Sequence, residues 1–80
     1  MKCTGYFRSI LQRPDRAEIK MEWIAKTLEE PELRESQSDG RIRRWRWIEE
    51  RQHYLRVITL EDGETVHNAF FDRRFKGDHS

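Results

Sequence analysis

Two aspartate-glycine dipeptides, Asp39-Gly40 and Asp62-Gly63, bracket a stretch of alternating apolar and basic residues, and they constrain the fold more than any other feature. Such dipeptides tolerate the positive φ angles of tight hairpins, so residues 41–71 read as three successive antiparallel strands. With Asp62 and Gly63 as the loop, Leu60 faces Thr65, Ile58 faces His67, Arg56 faces Ala69 and Tyr54 faces Phe71. Opposed residues of an antiparallel pair share a face, which predicts a core side of Leu55, Val57, Val66 and Phe70. Closing the preceding hairpin through residues 49–53 sets Ile48 against Tyr54, Trp47 against Leu55, Arg46 against Arg56 and Trp45 against Val57. Both tryptophans then join the core side. The other side receives Arg44, Arg46, Arg56 and His67 among Ile42, Ile48 and Tyr54, a basic surface with apolar footing. A one-residue slip would scatter this division.

The first half reads as helix. Pro14-Asp15 followed by Glu18 has the form of a helix start with a capping box. Ile19, Trp23, Ile24 and Leu28 recur at helical spacing, and Pro31 ends the run, which predicts a helix over residues 16–29. Tyr6, Phe7, Ile10 and Leu11 suit a short amphipathic helix, although Gly5 and the brevity of the segment also allow a strand. Residues 33–37 precede the first Asp-Gly turn and can pair with the strand after it, placing Glu35 opposite Arg44. The expected fold is α+β, with one or two N-terminal helices packed on one face of a three- or four-stranded antiparallel meander.

Eighty residues allow one domain, here residues 1–76, followed by a polar tail over 77–80. Sixteen basic and fifteen acidic side chains nearly cancel to +1, so only the distribution of charge is informative. Four arginines fall within residues 41–46. One cysteine, Cys3, excludes an internal disulfide. No apolar run approaches a transmembrane helix and the N-terminus lacks a signal-peptide core, so no membrane partner and a cytoplasmic location are expected.

His53, His67 and His79 lack the close pairing of a zinc site, and there is no glycine-rich phosphate loop, nucleophile elbow or cysteine-histidine motif. Neither a metal nor a cofactor is expected. What remains is the basic face. A carboxylate, arginines and a histidine on one sheet face make the minimum kit of a metal-free ribonuclease. Glu35 or His67 would deprotonate a 2′-hydroxyl, Arg56 would stabilise the charged phosphorane, and His67 would protonate the leaving oxygen. Arg44, Arg46 and Tyr54 would bind the RNA. The same residues also allow a plain reading, in which Arg44 pairs with Glu35, Asp72 or a helix acid holds Arg56, and His67 is a half-buried sheet residue.

A longer pattern runs through the chain: Arg13-Pro14-Asp15-Arg16, Ile19, Trp23-Ile24, Pro31, Asp39-Gly40-Arg41, Trp45, Tyr54-Leu55-Arg56-Val57, Asn68-Ala69-Phe70-Phe71-Asp72 and Phe75-Lys76. It resembles a group of small bacterial proteins of unknown function, which are in turn similar to the RelE/BrnT-like toxin superfamily. The resemblance implies one or two N-terminal helices against an antiparallel sheet, endoribonuclease activity, RNA held by basic sheet residues, and an antitoxin-like protein partner masking them. Arg56 and Arg73 occupy strand and C-terminal positions where such toxins tend to place arginines. The other class left open is a noncatalytic interaction module or homodimer, binding through the sheet face or the Phe70-Phe71 edge.

Overall fold

The computed structural model describes residues 2–75, and the predicted polar tail lies outside them. Three short helices, α1 (Gly5–Ile10), α2 (Pro14–Ala17) and α3 (Met21–Glu29), precede four strands, β1 (Leu33–Ser36), β2 (Ile42–Ile48), β3 (His53–Thr59) and β4 (Val66–Phe71). The strands form one antiparallel sheet in chain order, which is the α+β meander expected, with the fourth strand present.

The residue 4–12 segment is helix. Thr4 caps it, its hydroxyl accepting from the Phe7 amide at 3.0 Å. The single helix expected over residues 16–29 is instead two. Lys20 is extended (φ −78°, ψ 141°) and α3 starts afresh after it. No capping box forms at Asp15, since the N-cap of α2 is Arg13. The break has a tertiary cause. Arg16 donates to Asn68 Oδ1 at 2.9 Å and Glu18 accepts from Arg51 at 2.9 Å, so α2 is tied to the end of the sheet while Ile19 turns into the core.

Register differs from expectation in each hairpin, and each difference traces to a turn or a bulge. In the first, Glu35 pairs with Arg43 rather than Arg44, the turn closing with Gln37 N–H on the Arg41 carbonyl and Gly40 at φ +92°. In the second, Ile48 pairs with His53, because Gln52 takes a left-handed conformation (φ 54°) and closes the loop one residue early. Trp45 therefore opposes Arg56 and Arg46 opposes Leu55. The third hairpin begins as expected, with Leu60 N–H on the Thr65 carbonyl, and the Asp62 carboxylate organises the turn. It accepts from the Thr65 hydroxyl and from the Thr65 and Glu64 amides, which pull its pKa down to about 2. Beyond Thr59, which pairs with Val66, the partner of Ile58 is Asn68, so His67 is the extra residue of a β-bulge.

These slips turn β2 over and exchange the sides of Ala69 and Phe70 in β4, while β3 keeps its expected faces. The helix-covered core is Phe7, Ile19, Trp23 and Ile24 against Ile48, Leu55, Val57, Val66 and Ala69, with Phe71 packed on it. Trp45, Trp47 and Phe70 lie on the opposite, helix-free face with Arg43, Tyr54 and Arg56. Arg44, Arg46, Ile42 and Ile48 lie on the helix side. The expected basic face, with Arg44, Arg46 and Arg56 together, does not form, because Arg44 and Arg46 lie on the side opposite Arg56. Side-chain alternation makes this an all-or-none outcome, because one residue of slip turns a whole strand over.

Candidate nucleic-acid interface

The helix-free face is built from alternate residues of all four strands. The directly paired rows are Leu33, Trp45, Arg56 and Phe70, then Glu35, Arg43, Ile58 and Asn68, then Trp47 and Tyr54. Guanidinium groups and rings alternate across it. Arg43 lies 5.7 Å from the Trp45 ring centre, Arg56 lies 5.3 Å from Trp45 and 5.2 Å from Phe70, and Arg16, reaching in from α2, lies 5.4 Å from Phe70. Each such contact contributes about 0.5–2 kcal/mol, and the planar guanidinium keeps its N–H edges free for other acceptors.

Carboxylates hold the ladder in place. Glu35 pairs with Arg43 at 3.4 Å, Asp72 with Arg56 at 3.6 Å and Asp15 with Arg16 at 3.5 Å. The Nε atoms of Arg43 and Arg56 are nevertheless buried without a partner. Asp72 does more than pair. It accepts from the Trp45 indole N–H at 3.1 Å and from the Arg74 and Phe75 amides, so the chain after β4 turns back over the face. Phe75 then stacks on Trp45 (4.9 Å, 15°) and meets Tyr54 edge-on (4.8 Å).

The Arg16 end of the ladder opens into a cleft of about 510 Å³ between α2 and the turn after β2. Arg16 and Phe70 belong to both ladder and cleft, which is completed by Asp15, Glu18, Glu50, Arg51, His53, Phe71 and Arg73. Arg51 pairs with Glu18 and lies over Phe71 at 5.5 Å, and Glu50 accepts from the Trp23 indole. Arg73 is exposed, with no carboxylate paired to it among the described residues.

The residues singled out from sequence are dispersed. Glu35 and Arg56 share the helix-free face but have different partners. His67 sits at the β4 bulge, 3.1 Å from the Thr4 hydroxyl and stacked on Tyr6 (5.0 Å, 30°). Glu35 and His67 thus stand on opposite edge strands, three inter-strand spacings or about 14 Å apart. Tyr54 is on the ladder side but buried, its hydroxyl 3.4 Å from Glu32. Arg44 is buried on the other side beside Thr59, and Arg46 donates to the Glu30 carbonyl at the end of α3. Arg73 alone of the expected RNA-binding set lines the cleft. Sequence reasoning missed Arg16 and Arg43 and put Phe70 on the core side or at a partner-binding edge, because their places depend on the α2 break, the register slips and the bulge. Among the described residues no three His, Cys, Asp or Glu side chains cluster to hold a metal ion, and no described helix is long and apolar enough to cross a membrane. No family model, curated protein or solved structure matches the chain.

Proposed function

We propose that this chain binds single-stranded RNA across the helix-free face of its sheet, in the manner expected of a toxin-like RNA-binding protein. The observation that carries this is the unbroken alternation Arg43, Trp45, Arg56, Phe70, Arg16, drawn from four elements and leading into a cleft. Trp45, enclosed by Phe75, Arg43 and Arg56, sets the guanidinium groups in place; unpaired bases would stack on the partly exposed rings of the face, Trp47, Phe70 and Phe75, at about 1–3 kcal/mol each, while arginine N–H edges take the phosphates. Glu35, Asp72 and Asp15 spread the arginines along the track, and phosphates would compete with them for the same edges. The endoribonuclease extension through Glu35, Arg56 and His67 has less support, because its two acid-base groups do not converge. The acid-base groups beside the track are His53, Glu18 and Glu50 of the cleft.

Affinity should fall steeply with salt. Single-stranded binding loses about 0.7 in logarithmic slope per neutralised phosphate, so Arg16, Arg43, Arg56 and Arg73 together predict a slope of about −3. Fluorescence anisotropy of a short labelled RNA, titrated at several salt concentrations, reads this directly. Arg43→Gln and Arg56→Gln should each weaken binding and flatten the slope. Salt-independent binding, or binding unchanged in the double variant, would defeat the proposal.

One observation favours a second reading. Arg43, Arg56 and Arg16 each already have a carboxylate beside them, and Leu33 is 38% exposed at the rim next to Trp45. A face of paired arginines and aromatic rings with an apolar rim also suits a noncatalytic protein interface, with an antitoxin-like partner or a second copy. Sedimentation equilibrium of the pure chain separates the copy from the other partners.

A further inference from the structure

On the helix side of the sheet, Arg34 of β1 stands directly opposite Arg44 of β2. Opposed side chains in an antiparallel pair have Cβ atoms about 5 Å apart, and like charges there repel. Arg44 is only 8% exposed. A guanidinium has five N–H donors and no acceptor, yet the Thr59 hydroxyl, 3.2 Å from Nη1, is its one protein partner among the described residues. No carboxylate among those residues pairs with Arg44 or Arg34. Burial, and then the charge of Arg34, hold the Arg44 pKa below the usual arginine value. Arginine stays protonated all the same, so this is a buried cation facing another cation.

The neighbouring groups do not relieve it. Arg46, the next arginine on this side, is spent on the Glu30 carbonyl, and the Glu30 carboxylate is 3.1 Å from Lys26. The unbonded nitrogens of Arg44 are not sealed in: among the described residues the partnerless buried side-chain atoms are Gln37 Oε1, Arg43 Nε and Arg56 Nε. Gly63, at φ +72°, runs beside this guanidinium, and a Cβ there would lie in ordinary contact with Arg44 Nη2 at 3.4 Å.

We propose that Arg34 and Arg44 hold a phosphate dianion over the helix side of β1 and β2, Arg44 donating from the buried side and Arg34 closing from solvent. Two adjacent cations are neutralised by a phosphate or phosphomonoester, which carries about −1.5 to −2 at neutral pH; a carboxylate or an internal phosphodiester brings only one negative charge. Guanidinium forks match the tetrahedral oxygens two at a time. The site lies on the opposite side of the sheet from the arginine-aromatic ladder, so it does not rest on the RNA proposal.

Isothermal titration calorimetry of the full chain at constant ionic strength tests it, with inorganic phosphate in one arm and adenosine 5′-monophosphate in the other. Saturable one-to-one binding is expected. Equal affinities would assign free phosphate, and tighter nucleotide binding would assign a phosphomonoester on a nucleoside. Arg34→Gln, a change at an exposed edge position, should weaken binding at least tenfold without altering the circular dichroism spectrum. Arg44→Met should abolish the rise of Tm with phosphate. If Arg44→Met does not fold, Arg34→Gln decides alone. No binding in either arm, or full binding by Arg34→Gln, overturns the site.

Discussion

Trp45→Ala should lower the free energy of unfolding by about 3–5 kcal/mol, read by urea denaturation, even though Trp45 lies on the sheet face without helices. The residue is 4% exposed because Phe75 stacks on one side, Arg43 and Arg56 lie against the ring, and Asp72 takes its indole proton. Truncation would empty that space and leave a carboxylate short of a donor. For a domain of this size the loss is a large part of total stability. Trp45→Phe keeps the ring and should lose less. A midpoint unchanged in Trp45→Ala would mean that the Asp72 turn does not cover the face.

Asp72→Ala should cost about 2–3 kcal/mol by the same measurement. One carboxylate accepts from Trp45, pairs with Arg56 and caps the turn that carries Phe75. Hydrogen bonds to charged groups contribute about 1.5–3 kcal/mol, and removing one partner of a half-buried pair leaves the other uncompensated. Arg56 would be hardest hit, since its Nε already lacks a partner. Asp72→Asn should recover part of the loss by keeping the acceptor for the indole. Equal stability of the alanine and wild-type chains would show that the 72–75 turn adds nothing to the fold.

The fold class, three of the four strands and the two Asp-Gly turns were legible in the sequence because period-two alternation and turn chemistry are local. The core positions of Trp23, Ile24, Leu55, Val57 and Val66 are legible for the same reason. The register was not legible. It hangs on a left-handed Gln52, a residue type that gives no warning of positive φ, and on a bulge at His67, which no local pattern marks. Each shifts pairing by one, so Trp45, Trp47 and Phe70 exchanged sides with Arg44, Arg46 and Ala69. The break between α2 and α3 was hidden for a different reason: it depends on contacts of Arg16 and Glu18 with residues more than thirty positions away. The basic patch therefore survived only as a composition, and its true form, arginines interleaved with rings, needed the correct register to be seen.

Photo-cross-linking of a short thiouridine-substituted RNA to the intact chain, with the modified residues read by mass spectrometry, shows which side of the sheet RNA occupies. Cross-links at Trp47, Phe70 and Phe75, lost when Arg43 and Arg56 are both replaced by glutamine, are the predicted result. Cross-links at Tyr6, Met21 or Trp23 on the helical side, or none at any RNA concentration that saturates binding, would contradict it.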